Sequence, residues 1–250
     1  MEKKMKFKLA SSLSILLFSL NGLAENINIK AKDGFNLSAS YIESSTKSSK
    51  GVLMLHQCNE YKNMYNNLAK SLAKQGIHSL AIDFRGYGES VDDKYSLKLM
   101  REKATSRENY TAGVREMRTE HWPSDTIAAY KTLKNKIGSD NISFIGASCG
   151  GVQSIILAKK HQPKSFTFFS SGMNDTVLSD FAKMSHIPAL IIASQGDKYT
   201  FNSSNKVFLG AKSEQTKLLS YKGRGHGLPL FKQDPKLEGV MVDWFKLRAK

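Results

Sequence analysis

The sequence predicts an α/β fold, a doubly wound and mostly parallel sheet of eight strands with helices on both faces. Three observations carry this reading. Short apolar runs alternate with stretches of helical spacing along most of the 250-residue chain. Runs such as GVLMLH (51–56) and NISFIGAS (141–148) are apolar almost throughout, as strands buried on both faces must be. Asp33-Gly34 lies between NINIKA and FNLSASYI, a hairpin signal that makes the first two strands antiparallel.

The elements follow in order. A basic MEKKMKFK leads into the apolar LASSLSILLFSL and then NGLA, with Gly22 and Ala24 at the small-residue positions of a cleavage site. The apolar run is shorter than the ~20 residues of a membrane span. Residues 1–24 therefore read as a secretory signal peptide cut after Ala24, and 25–250 as one exported domain, periplasmic or secreted. After the hairpin come the strand GVLMLH, a helix in YNNLAKSLAKQG ending at Gly76, and the strand IHSLAIDF. The helix SDTIAAYKTLKNKIG opens at Ser124 as N-cap and closes at Gly138. NISFIGAS is a strand and CGGVQSIILAKKHQ a helix. KSFTFFSS, PALIIASQ and TKLLSYK supply three more strands, and PKLEGVMVDWFKLRAK is the last helix. Between the fourth strand and the next helix, 91–123 is longer than such connections usually are. It reads either as a lid or substrate rim, made cationic by Lys94, Arg101, Lys103, Arg107, Arg115 and Arg118, or as a plain surface excursion.

Composition bounds the function. With 40% hydrophobic and 24% charged residues, the chain is ordinary globular protein and long enough for a sizeable core. The leader holds four lysines and one glutamate, so its loss takes the formal charge from +15 to +12. The lysines are scattered as solvated helix faces are, with no basic stripe interleaved with aromatics. Nucleic acid is therefore not an expected partner, and the charge fits at most weak association with an anionic envelope surface. His56, Cys58 and Glu60 lack metal-ligand spacing, and no cofactor or metal is expected.

The chemistry centres on GASCG, which fits G-x-S-x-G with Ser148 in the middle, between a strand and a helix. A sharp strand-to-helix turn needs small neighbours and projects the hydroxyl above the strand ends. A serine hydroxyl needs a base, and the base needs an orienting carboxylate. Asp197 in SQGDKYT and His226 in GRGHGLP each follow a later strand. Asp175 is the alternative acid, following the sixth strand.

In these residues the chain resembles the α/β-hydrolase superfamily, over nearly its whole mature length. DFRGYGES (83–90) resembles that superfamily's turn after the fourth strand, and LMLHQC its His-Gly segment after the third. Gln57 stands where the glycine is usual. The resemblance implies a Ser148–His226–Asp197 triad and an oxyanion hole formed by the backbone N–H groups of Cys58 and Cys149. Both cysteines then flank one hole, and in an oxidising compartment they form a candidate disulfide. Only SGMNDTVLSDFAKMSHI separates the sixth and seventh strands, too little for a large cap. Among subfamilies the chain resembles the small ones, such as dienelactone-hydrolase-like and acyl-peptidase-like esterases. The expected function is hydrolysis of an ester, thioester or lactone of a small acyl substrate, and the cationic rim makes an anionic substrate one of the expectations. A silent binding protein and a small-peptide serine peptidase are the alternatives.

Overall fold

The computed structural model describes residues 24–248. The expected leader lies outside the described residues except for Ala24, the first residue of strand β1. β1 (Ala24–Lys30) and β2 (Asn36–Ile42) pair antiparallel across the Asp-Gly turn, where Gly34 takes φ +87°. The sheet continues through β3 (Gly51–Leu55), β4 (His78–Ile82), β5 (Ile142–Ala147), β6 (Phe166–Phe169), β7 (Ala189–Ser194) and β8 (Lys217–Tyr221). Its eight strands run in the order β1-β2-β4-β3-β5-β6-β7-β8, with every pair parallel from β4 to β8. The predicted sheet and its antiparallel start are therefore present.

Helices cover both faces. Side chains alternate along a strand, so one strand feeds two cores. Leu53 and Leu55 of β3 pack into the core beneath α4 (Trp122–Ile137), α5 (Cys149–Ala158) and α6 (Asp175–Ala182). Val52 and Met54 pack into the other, beneath α1 (Asn66–Ala73) and α9 (Leu237–Arg248). Two further helices, α7 (Lys198–Gly210) and α8 (Pro229–Gln233), follow β7 and β8. The chain leaves β3 towards β4 on one side and returns to β5 on the other. That reversal of direction opens a crevice at the C-terminal ends of β3 and β5.

The insertion contains α2 (Leu97–Lys103) and α3 (Arg107–Glu116). A turn of π-helix, Met117–His121, joins α3 directly to α4. This corrects one expectation: Ser124 is not the N-cap of α4. The chain arrives already helical, the Trp122 amide bonds back to the Met117 carbonyl, and Pro123 sits in the first turn. The Ser124 hydroxyl donates instead to the His121 carbonyl at 2.8 Å.

Candidate active site

Ser148 caps the turn between β5 and α5 with φ +51° and ψ −116°, a region that side chains other than glycine rarely occupy. The surrounding glycines make the turn possible. A side chain at Gly146 would collide with the Gly150 backbone, and one at Gly150 with the carbonyls of Leu55 and His56. The Ser148 amide donates to the Phe169 carbonyl at 2.8 Å, which holds the turn against β6. Its hydroxyl has no hydrogen-bond partner among the described residues, and the contact to His226 is open in this structure. Such contacts commonly tighten only with substrate bound.

Asp197 and His226 are brought together. His226 Nδ1 and Asp197 Oδ2 are 2.5 Å apart. The Thr200 hydroxyl donates to the same oxygen at 2.5 Å. Partial burial works to raise the Asp197 pKa, but the bonds from His226 and Thr200 outweigh it and hold the carboxylate below its usual range. An ionised Asp197 fixes the proton of His226 on Nδ1, leaving Nε2 as the acceptor. Asp175, the alternative acid, is exposed and pairs with Lys206 at 3.3 Å, and makes no hydrogen bond to His226 among the described residues.

The histidine loop is clamped from two sides. The Gly227 amide donates to Ser170 Oγ at 3.0 Å, and the Leu228 amide to Gln57 Oε1 at 2.9 Å. Gly227 has φ +63°, and a side chain there would meet the Gln57 amide. Gln57 Nε2 in turn donates to Asn59 Oδ1 at 2.7 Å. The residue that departs from the superfamily's glycine thus ties the loop after β3 to the loop after β8.

The loop after β3 is fixed by His56, which is wholly buried. Its Nε2 accepts from the Phe84 amide at 2.9 Å, so Nδ1 carries the proton and donates to the Gln57 carbonyl at 2.7 Å. Burial lowers its pKa to about 4, so the ring is neutral at ordinary pH. In a trans peptide the C=O and N–H point opposite ways. With the Gln57 carbonyl turned onto His56, the Cys58 N–H points away from it. Neither the Cys58 nor the Cys149 N–H has a protein partner among the described residues. A disulfide joins the two residues, with Cα atoms 5.8 Å apart across a sequence separation of 91.

Sequence reading missed three contributors. Thr200 lies in the first turn of α7, three residues after Asp197, a spacing at which hydroxyls commonly satisfy a helix start. Ser170 adopts φ +49° and is fully buried, with no sequence signal to mark it. Arg85, in DFRGYGES, is buried and donates to Asp125 at 2.8 and 3.1 Å and to Asp33 at 2.6 and 2.9 Å. It anchors the foot of the insertion to the β1–β2 turn.

The family described as serine aminopeptidase, S33, matches residues 46–175, a stretch that holds Ser148 but neither Asp197 nor His226. No curated protein matches the sequence. Among solved structures, a cold-adapted esterase from an Arctic intertidal metagenomic library has a TM-score of 0.69 at 19% identity, over 92% of this chain and 96% of that one. An esterase of Pyrococcus furiosus gives 0.65 at 16% identity, over 92% of each chain. Dienelactone hydrolase from Anabaena variabilis gives 0.62 at 14%, over 90% of this chain and 96% of that one. At these identities the likeness is one of fold.

Proposed function

The chain belongs to the serine aminopeptidase S33 family and is an α/β-fold serine hydrolase, and from that premise we propose that it cleaves a carboxylic ester, thioester or lactone in the cell envelope. Ser148 is the nucleophile. His226 Nε2 takes its proton as Oγ attacks the carbonyl carbon, and the carbonyl electron pair moves onto oxygen. The N–H groups of Cys58 and Cys149 hold that oxyanion, each donor contributing about 3 kcal/mol in related chemistry. Asp197 keeps the proton on Nδ1 and stabilises the imidazolium. His226 then gives its proton to the leaving group, and water repeats the cycle on the acyl-enzyme.

The observation that carries this reading is the Asp197–His226 hydrogen bond at 2.5 Å, set behind a strained serine turn. The exported location is supported by the expected leader and by the paired cysteines, since disulfides persist in oxidising compartments. The basic surface suits weak contact with an anionic envelope.

The family's description favours one other reading, a serine peptidase acting on short peptides. A panel of p-nitrophenyl esters, acyl thioesters, lactones and aminoacyl anilides separates the two. Turnover of the first three classes above the anilides is expected. Cleavage of anilides alone would move the function to peptides. Turnover of none would leave a silent binding protein.

A further inference from the structure

A cleft of about 650 Å³ lies between α5 and the insertion. Its floor is one face of α5, formed by Cys149, Val152, Gln153 and Ile156 at spacings of three and four, with Lys159 a turn beyond. At 1.5 Å per residue, the floor from Cys149 to Lys159 is about 15 Å long. One end is therefore the residue assigned above to the oxyanion hole. The other closes on the ion pair of Lys159 with Asp180, at 2.9 Å. Val114, Trp122 and Val177 make the walls mostly apolar.

Two arginines interrupt those walls; Arg115 is exposed, and the partly buried one is Arg118. It sits on the π turn, a feature often found at functional sites. Its Nη2 donates to the Tyr87 hydroxyl at 2.6 Å, and its guanidinium carbon lies 5.4 Å from the Trp122 ring centre. Both contacts orient the guanidinium without neutralising it, since burial holds the Tyr87 phenol above its ordinary range. Arg118 makes no ion pair with a carboxylate among the described residues, and its Nε is buried without a partner. Lys159, in the same cleft, has its carboxylate.

We propose that this cleft takes the acyl arm of the substrate and that Arg118 selects arms carrying a carboxylate. The proposal rests on the ester-hydrolase reading above. An arm leaving the oxyanion hole has its direct path along the apolar face of α5. A neutral arm would fill that path and leave the oriented guanidinium unmet. A carboxylate meets it through two parallel hydrogen bonds.

The test reads binding apart from turnover. Ser148→Ala protein, which retains the cleft, is titrated with monomethyl adipate and with methyl hexanoate, arms of equal length with and without a terminal carboxylate. The adipate ester is expected to bind about tenfold more tightly, the scale of one charge-assisted contact. Adding Arg118→Met should abolish the difference. Adding Lys136→Gln instead, which removes a charge paired with Glu25 away from the cleft, should keep it. Melting temperatures check that each variant is folded. Equal affinities, or a preference that survives Arg118→Met, would overturn the proposal. Wild-type turnover of the matching p-nitrophenyl esters tests the chemistry separately. Selective binding without turnover would uphold the cleft and fault the ester reading.

Discussion

The loops at the sheet's C-terminal edge and the insertion at 91–123 meet at the serine turn, where Cys149 lines the cleft, but different forces hold them. The loops are cross-linked to one another. A disulfide joins the loop after β3 to the serine turn, and Gln57 joins it to the histidine loop. Ser170 ties that histidine loop to the end of β6. The insertion is held mainly at its foot. α2 has no buried residue, and α3 buries only Val114. Its anchors are Arg85 with its two carboxylates and the Trp122 indole, which donates to the Arg85 carbonyl at 3.0 Å. Fixed donors are what an oxyanion hole requires. A wall with few buried contacts is free to differ in charge and shape without disturbing them, which suits it to substrate choice.

If the loop wall carries the chemistry, the largest losses come from its triad. Ser148→Ala, His226→Ala and Asp197→Ala should each lower kcat/KM by roughly 10⁴-fold or more, and the double variants should lose little beyond the worst single one. Near wild-type activity in His226→Ala would break the assignment. Next is the cross-link. Reducing the Cys58–Cys149 bond should cost roughly 4 kcal/mol of stability for a loop of this length. It should also lower kcat more than it raises KM, because the donors act on the transition state. Alkylation of both cysteines without reductant would refute the bond.

A third effect comes from His56. Its folded pKa of about 4 lies below the ordinary 6.5. Between these values the unfolded chain binds a proton that the folded chain does not. The stabilisation is therefore complete above pH 6.5 and is lost as pH falls towards 4, by about 3 kcal/mol at most. Urea unfolding at pH 7 and pH 5 reads it, and His56→Asn should flatten the slope. The smallest effect belongs to the insertion. If its cations steer anionic substrates, their kcat/KM should fall severalfold between low and high salt, while a neutral ester changes little. Equal responses would leave the basic rim without a catalytic role.

Much of the loop wall was legible because its parts are local. Strands buried on both faces read as apolar runs, as in β3 and β5. Ser148, Asp197 and His226 each follow a strand, in an order that carries meaning by itself. What stayed hidden was non-local or masked by polarity. Gln57 stood out as a departure, yet its partner Leu228 lies 171 residues away. α7 buries Thr200, Ser203 and Ser204 beside Val207, so its inner face carries little hydrophobic periodicity. The Ser124 cap failed because a π turn delivered the chain already helical. Arg118 could be counted as a rim cation, but its hold by Tyr87 and Trp122 depends on folding.

The central claim is that Ser148 is an activated nucleophile, and labelling with a fluorophosphonate probe tests it most directly. Intact-mass and peptide analysis of the reacted wild-type protein should find one adduct, on Ser148. Labelling should vanish in Ser148→Ala and slow greatly in His226→Ala. Labelling that persists in Ser148→Ala, or a wild-type protein that takes no label, would contradict the account.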